Sequence, residues 1–320
     1  MSHHAVIDQG HGIFTIDTGY QRQGLVACHL IQQGDRYAFV DVGTSSCLPV
    51  IYDVMSHRGI QPEQVDYVMV THVHLDHAGA AGSLMQTLPN ARLVVHPRGA
   101  RHMIDPSKLI AGATAVYGED VLKKTFGDIL PVASERVIEV EDQASLSLNG
   151  RDLLFLDTPG HARHHYCVYD ERSHGFFTGD TFGLCYAPLS VKGQSFMFPT
   201  TTPVQFDPVA LHASINTMMQ YKPEKMFLTH FGCVSDVESA AQQLHQRIDA
   251  FVRIAENIEY VDVKSCEVKL YQALKAFLLE ELAAFDCQLS EAEVIVLMDM
   301  DLKLNAQGLC CWLEYKKSKK

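Results

Sequence analysis

The sequence predicts an α/β fold, and three observations carry that expectation. First, VACHLI and YAFVDV read as two β-rich runs joined by QQGDR, a hairpin with a glycine in its turn. Second, the segment from Leu48 to Arg58 repeats apolar residues at helical spacing (Val50, Val54, Met55), and VDYVMV follows as a buried strand, so strand, helix and strand alternate. Third, the later part of the chain repeats this logic. LSLNGRDLLFLDTPGH is a hairpin around Asn149-Gly150, and GFFTGD and EKMFLTH are further strands that end in polar residues. The pair GDRYAFVDVG and GRDLLFLDTPG also hints at two similar halves.

Residues 97–135 carry loop signals and are expected to form an insertion of one or two helices. After His230 the pattern changes. Three helical segments follow, the last opened by a Ser290/Glu293 capping box and expected to close near Gly308. The expected organisation is therefore a domain over residues 1–236 and a helical C-terminal appendage over residues 237–320.

Composition limits the function. The 320 residues are 47% apolar and carry a formal charge of −12, with no long basic run before the terminal KKSKK, so nucleic acid is not an expected partner. The nine cysteines are scattered without a CxxC pair, which suits a reducing compartment. MSHHAVIDQGHG lacks the layout of a secretion signal, and no segment reaches the roughly 18 uninterrupted apolar residues of a membrane span, so a cytoplasmic location without membrane contact is expected.

The chemistry concentrates in THVHLDHAGA, where His72, His74, Asp76 and His77 fall within six positions. A chance HxHxDH would arise in roughly 0.3% of shuffled copies of this composition, so an accident is a weak explanation. Imidazole and carboxylate groups are the ligands that zinc and similar divalent ions accept, and crowded imidazoles at a strand end are costly unless something satisfies them. Three more candidates stand just beyond apolar runs, where α/β sheets gather functional groups: His161 after LLFLDTPG, Asp180 after GFFTG and His230 after KMFLT.

The set THVHLDH, TPGH, TGD and LTH resembles the metallo-β-lactamase superfamily, over roughly residues 20–235. The resemblance implies a four-layer αββα sandwich. It implies that His72, His74 and His161 hold one divalent metal, that Asp76, His77 and His230 hold a second, and that Asp180 bridges them. Zinc is the first expectation, with iron or manganese as alternatives. A hydroxide bridging the two ions would then attack a carbonyl or phosphorus centre, with Asp76 and Asp180 in the catalytic group.

Asp41, Asp157, Thr71, Thr178 and Thr229 stand near these positions, either to orient ligand imidazoles or as strand-end turn residues. Of His164 and His165, at most one is expected to face inward, because adjacent side chains diverge. Arg98, Arg101 and His102 read as a solvated helix face, with contact to an anionic substrate as the alternative. Cys167, Cys185 and Cys233 read as small packing residues.

Within the resembled family the expected reaction is hydrolysis of an ester, thioester or lactone in a small substrate, since GDTFGLCYAP after Asp180 is loosely similar to glyoxalase II. A small phosphodiester is the alternative. A third class, the di-iron redox and oxygen-binding relatives, typically has glutamate where this chain has His74. The loop from Phe198 to Pro208 is expected to line a substrate entrance or to serve as a connector. The additional helices are expected to shape the pocket or a homodimer interface.

Overall fold

The computed structural model describes residues 6–201 and 203–319, so the N-terminal MSHHA, Thr202 in the Phe198–Pro208 loop and the last lysine of KKSKK lie outside the described residues. By compactness the chain divides into two units. The first comprises residues 1–157, 164–179 and 223–233; the second comprises 158–163, 180–222 and 234–320.

The first unit is built on two sheets. One has seven strands in chain order: β1 (Val6–Gly10), β2 (Ile13–Asp17), β3 (Ala27–Gln33), β4 (Arg36–Val40), β5 (Val65–Met69), β6 (Arg92–Val95) and β7 (Val137–Glu139). Pairing is antiparallel from β1 to β4 and parallel from β4 to β7. The parallel half requires crossovers. Helix α1 (Leu48–Arg58) makes the first, with the predicted bounds, and Gly59 closes it in the left-handed conformation. Helices α2 (Leu75–Ala78) and α3 (Ala81–Thr87) make the second.

The 97–135 insertion holds three short helices where one or two were expected: α4 (Pro97–Ile104), α5 (Ser107–Tyr117) and α6 (Glu119–Phe126). Gly118, at φ 81°, separates α5 from α6, a break that a continuous helical reading passes over.

The second sheet runs β8 (Ser145–Leu148), β9 (Arg151–Asp157), β10 (Tyr166–Asp170), β11 (Gly175–Gly179), β12 (Lys225–Leu228) and β13 (Gly232–Val234). Asn149 and Gly150 both take positive φ, as the two-residue turn of the β8–β9 hairpin demands. Phe155, Phe177 and Phe227 of this sheet share a buried core with Ile13, Val40 and Met69 of the first, each fully buried phenylalanine contributing roughly 1.5–3 kcal/mol. On the other face of the seven-stranded sheet, Phe39, Val68 and Leu93 are buried with Val50, Ile51 and Val54 of α1, Leu84 of α3 and Met103 of α4.

A buried histidine ties the two sheets. His29 of β3 is 1% exposed, donates from Nε2 to the Leu228 carbonyl at 3.0 Å and accepts at Nδ1 from the Thr15 hydroxyl at 3.2 Å. Burial pushes its pKa down from 6.5 to about 4, against the opposing pull of the Leu228 carbonyl and Asp41. The neutral ring is thus the folded form. The unfolded chain binds the extra proton first, so this contribution is complete above pH 6.5 and is lost as the pH falls toward 4. It amounts to about 3 kcal/mol. Urea midpoints measured from pH 7.5 to 4.5 should fall less steeply for His29→Gln than for the native chain; equal slopes would exclude His29 as the source.

The second unit holds helix α7 (Pro208–Gln220), capped by Asp207, and three long helices, α8 (Val237–Glu256), α9 (Val263–Ala284) and α10 (Glu291–Ser318). The Ser290/Glu293 capping box forms as expected. The expected stop near Gly308 does not occur, and α10 runs ten residues further. Gly308 is an interior residue whose missing side chain admits the Thr201 carbonyl; a Cβ would lie 2.7 Å from that oxygen. Among the described residues, no helix is long and apolar enough to cross a membrane.

Candidate metal centre

In the first unit the site is built on the ends of β4, β5 and β12. Beyond β5 the chain leaves the sheet, places His72 and His74 on irregular backbone, and starts α2 with Asp76 and His77 in its single turn. Beyond β4, Asp41 sits at φ 49° and is fully buried. Its carboxylate accepts four hydrogen bonds: from Thr71 N at 2.8 Å, Thr71 Oγ1 at 2.8 Å, His77 Nδ1 at 2.8 Å and Thr229 Oγ1 at 2.6 Å. A buried carboxylate is stable only when so satisfied. Asp41 therefore couples the three strand ends.

These bonds determine where ring protons sit. His77 donates from Nδ1, which leaves Nε2 as a lone pair 3.8 Å from Asp76 Oδ2. His230 donates from Nδ1 to the Leu25 carbonyl at 2.9 Å, and its Nε2 faces the same Asp76 oxygen at 3.4 Å. Asp76, His77 and His230 thus offer ligand atoms within 4.8 Å of one another. The Thr71 hydroxyl proton goes to Asp41, so His72 Nδ1 donates to Thr71 Oγ1 at 3.2 Å and directs Nε2 at His74 Nδ1, 2.8 Å away.

In the second unit, His161 and Asp180 come together. His161 Nε2 lies 3.3 Å from Asp180 Oδ2, and both residues are buried. The Thr200 hydroxyl gives its one proton to the Asp180 carbonyl at 3.1 Å, so its oxygen accepts from His161 Nδ1 at 2.9 Å. Again Nδ1 is occupied and Nε2 carries the lone pair. The TPGH turn is held by Ser214 Oγ donating to the Pro159 carbonyl at 2.6 Å and by Asp207 N donating to the Gly160 carbonyl at 2.8 Å.

Of the expected supporting residues, Asp41, Thr71 and Thr229 form the network above. Asp157 does not orient a candidate ligand; it accepts from His96 Nε2 at 3.0 Å. Thr178 bonds to main-chain carbonyls. Both His164 and His165 lie beside the cluster, contrary to the expectation of one at most. The His165 ring stacks on His72 at 4.9 Å between centroids, and His164 stands 5.6 Å from His74. A turn at residues 163–164 removes the strand alternation on which that expectation rested.

Arg98 and Arg101 are exposed on α4. Partial burial, with the charges of Arg101 and Lys108, lowers the pKa of His102. Burial pushes the Cys185 thiol up and Cys233 to about 11, so neither is poised as a thiolate. Two groups that act on candidate ligands were missed: the Leu25 carbonyl, which has no sequence signal, and Thr200, whose only signal is its place in FPTTTP.

Imidazoles whose Nδ1 is bonded outward and whose Nε2 faces a carboxylate form the donor arrangement that a divalent cation takes. The His/Asp cluster suits such ions.

Comparison with known proteins agrees with this chemistry. The chain is 30% identical over 177 residues to the metallo-beta-lactamase fold-containing protein ST1585 of Sulfurisphaera tokodaii, a match covering 54% of this chain and 63% of that one, so it spans less than two thirds of this relative. The crystal structure of ST1585, an archaeal metallo-beta-lactamase superfamily protein, superposes with a TM-score of 0.64 at 22% identity, over 93% of this chain and 98% of that one. The flavodiiron core of Flv1 from Synechocystis shares the fold at a TM-score of 0.55 and 16% identity, over 79% and 62% of the two chains. The family described as the metallo-beta-lactamase superfamily matches residues 21–230, about two thirds of the sequence, and the chain belongs to it.

Proposed function

We propose that the protein is a metal-dependent hydrolase that cleaves an ester, thioester or lactone bond in a small substrate. His72, His74 and His161 would hold one divalent ion and Asp76, His77 and His230 the other, with Asp180 between them. The observation that carries the reading is the shared orientation of His77, His230 and His161, each with Nδ1 donating to a protein oxygen and Nε2 facing an aspartate. The bound ions supply an acidified water and positive charge for a developing oxyanion. The protein's own part is to keep the imidazoles in the ligating tautomer, which Asp41, the Leu25 carbonyl and Thr200 do. Membership of a family rich in hydrolytic metalloenzymes supports hydrolysis.

Protein purified without added metal should contain close to two equivalents of zinc, iron or manganese by elemental analysis, and should hydrolyse one class in a panel of thioesters, lactones and bis-p-nitrophenyl phosphate. Turnover of the phosphodiester alone would select the phosphodiesterase alternative. Folded protein that takes up no metal would end the dinuclear reading. The likeness to a flavodiiron core supports a second reading, a di-iron redox protein, which requires iron and oxygen consumption with no hydrolysis in the panel.

A further inference from the structure

We infer that helix α10 positions a metal-ligating histidine, through Asn305 and the tripeptide Pro199-Thr200-Thr201; this rests on the proposed role of His161. Two residues of α10 break its local logic. Asn305 lies in the buried stripe of Val294, Met298, Leu302, Leu309 and Leu313, where an amide is costly without partners, and it is 2% exposed. Gly308, one turn later, weakens a helix interior by about 1 kcal/mol relative to alanine.

Both irregularities face the same three residues. Asn305 Oδ1 accepts from Thr201 N at 2.6 Å, and its Nδ2 donates to the Pro199 carbonyl at 3.1 Å, so the amide brackets Thr200 from both sides. The Thr201 hydroxyl donates to the Asn305 carbonyl at 3.0 Å. Gly308 lets the Thr201 carbonyl approach closer than any side chain would allow. The bracketed Thr200 then fixes the tautomer of His161: its hydroxyl, with its single proton committed to the Asp180 carbonyl, accepts from Nδ1 at 2.9 Å, and its own main-chain carbonyl accepts more weakly at 3.4 Å. Packing alone would place leucine at 305 and alanine at 308. The amide and the glycine are explained by holding Thr200 at the ring nitrogen of His161, and α10 is a positioning element that lies outside the matched family region, residues 21–230.

The test is cobalt(II) and zinc(II) binding by chelator competition on the full chain, comparing the native protein with Asn305→Leu, Gly308→Ala, Thr200→Val and Thr200→Ser. Asn305→Leu, Gly308→Ala and Thr200→Val should each weaken one of two metal equivalents by about 10–100-fold and leave the other unchanged, whereas Thr200→Ser, which keeps the hydroxyl, should restore native affinity. Should Asn305→Leu fail to fold, Gly308→Ala decides, because it displaces the Thr201 carbonyl and leaves the amide intact. Two tight equivalents in the native chain, with both α10 variants binding as the native chain does or losing both equivalents together, would overturn the positioning role alone. A native chain that binds no metal would overturn the dinuclear reading beneath it.

Discussion

Asp180→Ala should lower hydrolysis by more than about 100-fold while leaving the chain folded. Loss of an outer hydrogen-bond partner of a metal ligand already costs about 10–100-fold, and under the proposed dinuclear reading a carboxylate that would hold both cations contributes more than such a partner. Asp180 follows β11 directly. Its carboxylate faces His161 Nε2 at 3.3 Å, while its main-chain carbonyl, which the variant keeps, accepts the Thr200 hydroxyl. The His161 tautomer is thus preserved, and the loss falls on the carboxylate. The check is kcat on the best substrate of the panel, with metal content determined on the same sample. Undiminished turnover would show that Asp180 does not bridge.

Arg151→Met should destabilise the fold by about 3–5 kcal/mol, the cost of leaving one partner of a buried ion pair alone. Arg151 is 3% exposed at the start of β9. It grips Asp170 at the end of β10 through Nε at 2.8 Å and Nη2 at 2.6 Å, and donates from Nη1 to the His11 carbonyl at 2.7 Å, so it ties the two sheets as well as two strands. Burial raises the pKa of Asp170, but the hydrogen bonds from Arg151 and Ser173 outweigh it and hold the carboxyl below its ordinary range. The double variant Arg151→Met/Asp170→Leu should recover part of the loss, since an apolar pair leaves no buried charge. Chemical denaturation of the native chain and the two variants measures this. A loss below about 1 kcal/mol for the single change would place the pair among weak surface bridges.

The elements legible in the sequence are those set by signals within a few residues. Helix α1 keeps its predicted bounds because an apolar period and a following glycine both act locally. The same holds for the Asn149-Gly150 hairpin and the Ser290 capping box. Two misreadings show where a local signal misleads. Gly308 reads as a stop, yet its role is set by Thr201, more than 100 residues away. His164 and His165 read as divergent neighbours, yet a turn brings both rings beside His72 and His74.

For the candidate site, residue types and spacing alone singled out the candidate donors: four in THVHLDH and three at later strand ends, chemistry suited to a divalent ion. Tertiary structure decided which ring nitrogen each of His77, His161 and His230 offers. That choice depends on the Asp41 carboxylate, the Thr200 hydroxyl and the Leu25 carbonyl, which stand 36, 39 and 205 residues from the rings they orient. A tautomer is set by whichever acceptor lies within hydrogen-bonding distance, and at such separations only the folded chain determines that distance.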